Sequence, residues 1–319
     1  MDKKKENKYL DIIVPCFNEE DNVERFFSET EKVAEKTDGF IFRYIFIDDG
    51  SGDDTLKEIK KLSEKSKRVK YISFSRNFGK EAAMYAGLRA SSGELAVIMD
   101  CDLQHPPRLI EEMIEKIMST GCDSCAARRV SRKGEPKIRS AMARAFYKIM
   151  NRYSDIEIVD GAVDFRMMRR KMVRAVVSMP ETQRFSKGIF AWVGFSTAWI
   201  EFENVRRISG ESKWSMWSLM KYALDGFIDF AASPLKFAGV FGGVTAVGSA
   251  LYLILEILKT LIVGKDTPGY ASTICLILFF GGLITAILSI IGEYIGRMYM
   301  ETKGRPIYIE KESNIDDEN

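Results

Sequence analysis

The first third of the chain alternates short β-rich runs with longer polar stretches of helical character. The runs that predict strands are residues 10–14, 44–47, 69–74 and 95–99, and helices are predicted between them and over residues 107–118. Strands that alternate with helices of this length form a mostly parallel sheet with helices on both faces. Because such sheets bind ligands at the carboxyl ends of their strands, the pattern predicts an α/β domain with its site at one sheet edge.

Three of these strand ends carry side chains suited to binding. They are residues 15–19 after the first strand, residues 48–55 after the second and Asp100-x-Asp102 after the fourth. Two carboxylates in one loop suit a hard divalent cation, Mg²⁺ or Mn²⁺, which completes its shell with substrate phosphates. The alternative is an ordinary pair of surface aspartates in a turn. No glycine-rich dinucleotide motif or P-loop is present, so a cation is the predicted counter-charge for phosphate.

Charge and cysteine usage exclude several classes of protein. With 47 Lys and Arg against 45 Asp and Glu, the net charge of +2 argues against nucleic-acid binding through a bulk basic field. The five cysteines favour a reducing cytosolic setting over a disulfide scaffold. Cys122-x-x-Cys125 has no second pair, so a short buried strand is favoured there over a metal site. His105, the single histidine, stays outside the predicted catalytic set, because a lone histidine is more often structural.

The last third of the chain holds two long apolar runs without a charge. Residues 237–255 and 270–292 are each long enough to cross a hydrocarbon core of about 30 Å. Four basic residues flank the outer ends of the pair, against Lys265 alone in the turn between them. They are Lys236, Arg297, Lys303 and Arg305. A buried core helix is the alternative for each run, but the positive-inside rule and the short turn predict a hairpin with both termini in the cytoplasm.

An amphipathic stretch precedes the first apolar run. From Lys213 onward, Trp214 and Trp217 share one helical face with further apolar residues, and polar residues occupy another. Tryptophan at this spacing is typical of a helix that lies in a membrane interface. The alternative is a helix packed on the soluble core.

Six motifs follow one another along the chain. They are Pro15-x-x-Asn18-Glu19, Asp48-Asp49-Gly50-Ser51, Arg76-Asn77-Phe78-Gly79-Lys80, Asp100-x-Asp102-Leu103-Gln104-His105-Pro106-Pro107, Asp164-Phe165-Arg166 and Gly210-Glu211-Ser212-Lys213. Over residues 10–305 this order resembles the family-two inverting glycosyltransferases, in particular the polyprenyl-phosphate glycosyltransferases such as bactoprenol glucosyltransferases and dolichol-phosphate mannose synthases. The resemblance implies a Rossmann-like nucleotide-sugar-binding domain of the GT-A type.

With this resemblance the chain divides into five predicted parts. They are a charged tail at 1–9, a cytoplasmic glycosyltransferase domain at 10–212, an interfacial amphipathic segment at 213–235, a transmembrane hairpin at 236–297 with helices at about 237–262 and 270–293, and a cytoplasmic tail at 298–319. The charged N-terminus lacks the apolar core of a signal peptide, so the first domain is expected to stay in the cytoplasm. The resemblance also implies a homo-oligomer packed through the hairpins.

The resemblance implies a role for each matching position. The nucleotide-sugar pocket would be lined by Pro15, Phe17, Glu19, Asp49 and Asp100. The divalent cation on the donor diphosphate would be held by Asp100, Asp102 and Gln104. Phosphate and acceptor groups would be bound by Arg128, Arg129, Arg132, Arg139, Arg207, Ser212 and Lys213. The basic loop 128–137, otherwise a solvated connector, would be a mobile cover, and the choice of the arginine that clamps the lipid phosphate stays open.

The implied reaction joins a sugar to a lipid phosphate. An oxygen of undecaprenyl or dolichyl phosphate attacks the anomeric carbon of a nucleotide-diphosphate sugar, with inversion, while Asp102 acts through the cation. Asp164 is the candidate base or orienting carboxylate, with Asp160 as its rival, although a phosphate monoester is already largely ionised at neutral pH and asks little of a base. The alternatives are a processive polysaccharide glycosyltransferase and a non-enzymatic membrane subunit that binds the lipid carrier.

Overall fold

The computed structural model describes residues 8–129, 159–202 and 269–315, together with part of the stretch 241–262. These residues belong to two compact units, a sheet domain that includes the residues from Pro306 onward and a helical unit that ends at Arg305. The strands of the sheet domain are β1 (Lys8–Cys16), β2 (Phe40–Asp48), β3 (Val69–Phe74), β4 (Leu95–Ile98), β5 (Ser124–Arg129), β6 (Ala162–Arg169), β7 (Thr197–Phe202) and β8 (Glu310–Ser313). Its helices are α1 (Glu20–Ala34), α2 (Thr55–Lys65), α3 (Lys80–Ala90), α4 (Leu109–Thr120), α5 (Arg170–Val177) and α6 (Ser186–Trp192), and α7 (Tyr270–Thr302) belongs to the helical unit.

The strands among the described residues form one sheet in the order β7-β5-β6-β4-β1-β2-β3-β8. The neighbours β4, β1, β2 and β3 are mutually parallel, and β5 is parallel to β7. Strand β6 is antiparallel to both β4 and β5, and β8 is antiparallel to β3. The prediction of an α/β domain with a mostly parallel sheet is confirmed, and the carboxyl ends of the four central strands share one edge.

The central strands are apolar because both of their faces are covered. Every residue of β4 is buried, and so are Ile12 and Val14 of β1. On one face Phe26 of α1 lies edge-on to Phe46 of β2, with ring centroids 6.1 Å apart. A continuous apolar run of this kind is typical of a parallel strand inside a two-sided sheet. The loops at the strand ends therefore start from a rigid base.

Helix α3 lies against the sheet through a close contact at Gly87. A Cβ at this position would lie 2.2 Å from Cγ2 of Ile13, so only glycine lets the helix approach β1 this closely. Residues 82–88 of α3 are all buried, as expected of a helix covered on several sides. Lys80, the first residue of the helix, is consequently held at a fixed place beside the sheet edge.

The cysteines of the described sheet domain are buried thiols. Cys16, Cys101, Cys122 and Cys125 are free, and Cys125 lies in the short strand β5. Burial raises the pKa of the Cys125 thiol to about 12, which keeps it protonated at neutral pH. The buried strand that the sequence favoured over a metal site is confirmed at this position.

The C-terminal residues return to the sheet domain as a strand. β8 runs antiparallel to β3, with Ser313 opposite Ile72. Tyr308 stacks on Phe74 of β3, with ring centroids 4.7 Å apart. The prediction of a tail at 298–319 missed this strand, because its polar residues show no apolar alternation and its pairing depends on the free edge of β3.

One helix among the described residues is long and apolar enough to cross a membrane. The qualifying part of α7 is Phe279–Thr302, whose 24 residues span about 36 Å. The helix continues past residue 293, where the sequence had placed its end. The first predicted span, 237–255, falls partly outside the described residues, and the interfacial segment 213–235 falls wholly outside them. The hairpin and the interfacial helix therefore stay predictions.

Candidate active site

The loop after β4 presents two carboxylates at the shared edge. Asp100 and Asp102 follow the buried strand, and Oδ1 of Asp102 accepts a hydrogen bond from the N–H of Gln104 at 3.1 Å. Leu103 has a φ of +55°, in the left-handed region that a non-glycine residue seldom adopts. The Leu103 side chain is buried, which offsets the cost of this backbone conformation. The two carboxylates are thus held in one tight turn.

A lysine joins this turn to a neighbouring strand. Nζ of Lys80 lies 2.6 Å from Oδ1 of Asp100 and 2.8 Å from Oδ2 of Asp164. Lys80 begins α3, Asp100 follows β4 and Asp164 lies in β6, so three elements meet at this cluster. The exposed fractions of the three side chains are 34%, 28% and 21% in that order, which leaves the cluster open to a ligand.

Lys80 had no predicted role, although it lies in one of the six motifs. The signal that could have found it is its place in the first turn of a helix, where the helix dipole disfavours a positive charge. Burial alone would lower the pKa of Lys80, but the charges of Asp100 and Asp164 raise it by more. The ammonium group therefore stays charged between the two carboxylates.

Asp164, and not its rival Asp160, makes the contact with Lys80. Burial raises the pKa of Asp164, but Lys80 and Lys187 lower it by more, and the carboxyl group stays ionised well below its usual range. Its Oδ1 is buried and has no hydrogen-bond partner among the described residues. Asp160 is exposed in the turn before β6. The position of Asp164 fits an orienting carboxylate.

Asp49 at the end of β2 is buried and hydrogen-bonded to the next loop. Its carboxylate accepts hydrogen bonds from the N–H of Phe78 at 2.6 Å and of Gly79 at 2.9 Å. Burial raises the pKa of Asp49 to about 6, although the two N–H groups act in the opposite direction. Gly50 has a φ of +66°, and a Cβ there would lie 2.4 Å from the backbone carbon of Arg76. The motif therefore needs glycine where the two loops meet.

The loop after β1 is tied to the loop after β2 by short hydrogen bonds. The N–H of Asn18 donates to Oγ of Ser51 at 3.0 Å, and the N–H of Glu19 donates to Oγ1 of Thr55 at 2.7 Å. Phe17, in the loop after β1, is 36% exposed. Two of the predicted nucleotide-site loops are thus brought together at the sheet edge.

The other predicted site residues fall into two groups. Pro15 lies within β1, level with Ile47 of β2. Arg128 at the end of β5 pairs with Glu201 of β7, and Arg129 follows it. Five predicted phosphate-binding residues lie outside the described residues. They are Arg132, Arg139, Arg207, Ser212 and Lys213.

His105 is buried beside the carboxylate turn. Its ring stacks on Phe165 at 5.3 Å between centroids and lies edge-on to Phe202 at 5.5 Å. Neither ring nitrogen has a hydrogen-bond partner among the described residues. Burial lowers the pKa of His105, so the ring is neutral at physiological pH. His105 is therefore a neutral ring held by aromatic packing, and its place outside the predicted catalytic set stays a prediction.

The oxygen ligands at the sheet edge suit a cation whose coordination shell is completed by oxygen atoms of the substrate. In the part of the chain that the structure describes, no three His, Cys, Asp or Glu side chains gather to form a closed metal site. Asp100 and Asp102 supply two carboxylates from one turn, with Gln104 beside them. Mg²⁺ is commonly held by one or two carboxylates together with substrate phosphates. The two carboxylates therefore suit a cation that arrives with a diphosphate.

The residues around this sheet edge match those of a known protein family. The family model of glycosyl transferase family 2 matches residues 11–177, which include the loops after β1, β2, β3 and β4. CsbB of Bacillus subtilis, which is named as a glycosyltransferase, is 44% identical over 306 residues, with 96% of this chain and 92% of the relative covered. The chain belongs to glycosyltransferase family 2 and is a glycosyltransferase.

Other relatives carry more specific names. The prophage bactoprenol glucosyl transferase homolog of Escherichia coli is 38% identical and covers 95% of this chain and 98% of its own length. The bactoprenol glucosyl transferase of Shigella phage SfII is 37% identical, with 96% and 98% covered. Among solved structures, glucosyl-3-phosphoglycerate synthase of Mycobacterium tuberculosis with Mn²⁺ and UDP matches at a TM-score of 0.44 and 15% identity, over 69% of this chain and 77% of that one.

Proposed function

We propose that this glycosyltransferase moves a sugar from a nucleotide-diphosphate sugar to a polyprenyl phosphate, with inversion, at the cytoplasmic face of a membrane. The observation that carries the proposal is the cluster at the shared edge, where Lys80 joins Asp164 to Asp100, which lies in the same turn as Asp102, beside the loops of the predicted nucleotide pocket. Relatives named bactoprenol glucosyl transferase, matched over nearly their whole length, support the lipid carrier as acceptor.

We assign the nucleotide-sugar donor and its cation to the loops after β1, β2 and β4. Phe17, Glu19 and Asp49 lie in the two loops that hydrogen bonds hold together, and they are proposed to bind the nucleotide. Asp100 and Asp102 would hold Mg²⁺ or Mn²⁺ on the donor diphosphate, with Gln104 as a further ligand from the same loop. The cation supplies the positive charge that stabilises the departing diphosphate.

The acceptor is assigned a phosphate because Asp164, the candidate base among the described residues, would be a weak base for a hydroxyl group. The pKa of Asp164 is held low by Lys80, and a carboxylate with a low pKa is a weak proton acceptor. A phosphate monoester needs no such help, since its second pKa is about 6. We therefore assign Asp164 an orienting role, and we assign Arg128 and Arg129 to the approach of the lipid phosphate.

The membrane anchor completes the proposal. Helix α7 is long enough to span a bilayer, and the apolar run at 237–255 is proposed as the second member of a hairpin. Basic residues outside both ends of the pair favour a cytoplasmic site. A lipid phosphate at the same membrane face then reaches the enzyme without leaving the bilayer.

A donor screen with the full-length protein in detergent micelles tests this function. The reaction would contain Mn²⁺, a short-chain polyprenyl phosphate and one of a panel of nucleotide-diphosphate sugars, with products identified by mass spectrometry. We expect one donor to give a polyprenyl-phosphate sugar together with nucleoside diphosphate, and excess chelator to stop the reaction. A polymeric glycan, or no lipid product with any donor, would contradict the proposal.

A further inference from the structure

The Lys80 ammonium occupies a place where the proposed function puts a cation. It lies 2.6 Å from Oδ1 of Asp100, a proposed cation ligand, and 2.8 Å from Oδ2 of Asp164. A divalent cation of the Mg²⁺ type would lie about 2.1 Å from the same carboxylate. A cation on either oxygen of Asp100 would lie close enough to the ammonium for the two positive charges to repel each other strongly.

The position of Lys80 is set by the fold and not by helix stability. Gly79, just before it, has a φ of +97° and donates its N–H to Asp49. The helix that follows is fixed against β1 by the close contact at Gly87. A positive charge in the first helical turn is unfavourable for the helix itself. Local rules broken in this way commonly mark a functional residue.

We propose that Lys80 is a positioning residue that holds Asp100 until the divalent cation binds, and that afterwards it stays on Asp164. This inference rests on the proposed function, because it assumes that Asp100 is a cation ligand. Before binding, the ammonium lies between the carboxylates of Asp100 and Asp164 and offsets one of their two negative charges. After binding, the cation and Lys80 together supply three positive charges against the carboxylates of Asp100, Asp102 and Asp164. The donor diphosphate then adds the negative charge that favours the cation over the lysine at Asp100.

Competition between Lys80 and the cation for Asp100 predicts the direction in which the affinity for the cation should change. The cation alone must separate Lys80 from Asp100, so the wild-type protein binds it weakly in the absence of donor. Removing the lysine charge removes the competitor, and the cation should then bind more tightly. A lysine that only stabilised the fold would have the opposite effect or none, because its loss would loosen the carboxylate turn.

Binding of Mn²⁺ alone to the full-length protein in detergent micelles tests the proposal, with free Mn²⁺ measured by electron paramagnetic resonance. We expect Lys80→Met to bind Mn²⁺ at least tenfold more tightly than wild type, while turnover falls at least tenfold because Asp164 loses its partner. Lys80→Arg keeps the charge and should stay within about threefold of the wild-type affinity. Lys57→Met, an exposed lysine paired with Asp54, is the matched control and should match wild type.

The outcomes separate this inference from the function on which it rests. Mn²⁺ affinity that is unchanged or weaker in a folded Lys80→Met protein, with wild-type binding intact, overturns the role of Lys80 and leaves the function standing. Wild-type protein that binds no Mn²⁺ even with donor present overturns the cation assignment and this proposal together. Circular dichroism shows whether Lys80→Met folds. If it does not fold, the Mn²⁺ affinity of Lys80→Arg becomes the test, and a tenfold increase over wild type would refute the competition.

Discussion

The carboxylates at the sheet edge differ in what surrounds them. Asp100 and Asp164 share the ammonium of Lys80, Asp49 accepts backbone N–H groups, and Asp102 accepts the N–H of Gln104 inside its own turn. Their responses to substitution and to pH should differ for the same reason. A carboxylate that only accepts a hydrogen bond can be replaced by an amide, whereas one that also holds a cation cannot.

Substitution of Asp102 tests the cation site by removing a single negative charge. Asp102→Asn keeps an oxygen that can accept the N–H of Gln104, so the turn should persist, but it removes a negative charge from the proposed cation. We expect at least a 100-fold loss of sugar transfer, about 3 kcal/mol of transition-state stabilisation, with little change in thermal unfolding. Asp54→Asn, an exposed aspartate at the start of α2, is the control and should remain active. Full activity of Asp102→Asn, or of wild type in excess chelator, would refute the site.

Asp49 should make stability fall as pH rises. Its pKa is about 6 in the folded protein against an ordinary value of 3.8, so the folded state binds the proton more tightly than the unfolded state. The stabilisation is complete below about pH 4 and is lost as pH rises through 6, by about 3 kcal/mol of unfolding free energy. Asp49→Asn removes this titration. Thermal midpoints measured from pH 4 to 7.5 should therefore fall more steeply for wild type than for the variant, and parallel curves would contradict the prediction.

At the scale of elements, β8 closes the edge of the sheet next to the active-site loops. Asn314, just after β8, accepts the N–H of Tyr71 at 2.7 Å and donates to the carbonyl of Val69 at 3.2 Å. An open edge at β3 would leave such backbone groups without partners. Strand β3 leads directly into the loop that carries Lys80. We therefore expect β8 to stabilise both the sheet and that loop.

Asn314→Ala tests this closure by removing both side-chain hydrogen bonds. We expect a loss of about 1 to 3 kcal/mol in unfolding free energy, because each bond contributes about 1 kcal/mol and the site is partly buried. Thermal unfolding of the full-length protein measures the change. Lys311→Ala, an exposed position on the same strand, serves as control and should stay close to wild type. Equal destabilisation by the two variants would show that the hydrogen bonds of the Asn314 side chain do not contribute measurably to stability.

In the whole molecule, the proposed function requires a site at one sheet edge to act on an acceptor that is held in the bilayer. The helical unit provides a helix long and apolar enough to cross a membrane, and the sheet domain provides the carboxylate cluster and the arginines at the end of β5. Arginine pairs with phosphate by two parallel hydrogen bonds, whereas a neutral hydroxyl acceptor offers no charge to neutralise. Acceptor charge is therefore the property that distinguishes this function from its alternatives.

The acceptor preference can be measured directly. Polyprenyl phosphate should be used at least 100-fold faster than polyprenol of the same length, because the phosphate oxygen is already ionised. Replacing Arg128, Arg129 and Arg132 together by glutamine should raise the KM for the lipid much more than the KM for the donor. Arg174→Gln, on the exposed side of α5, is the control and should leave both unchanged. Equal rates with polyprenol would refute the acceptor assignment.

The pattern of residues along the chain is enough to predict the class of fold and most of the residues at the sheet edge. Apolar runs bounded by polar loops define parallel strands, and parallel strands bring their carboxyl ends to one edge whatever their order. Asp49, Asp100 and Asp102 were therefore predictable from position alone. The glycosyltransferase family followed from the order of the six motifs, and relatives of nearly full length confirm it.

Which side chains contact one another depends on how the strands pack in three dimensions. Lys80 and Asp164 are 84 residues apart, and their contact depends on β6 entering the sheet antiparallel beside β4. Asn314 and Tyr71 are 243 residues apart, and their bond depends on the free edge of β3. Local patterns specify periodicity and turns, whereas strand order and edge pairing arise from the packing of the whole domain, so neither contact has a signature within its own segment.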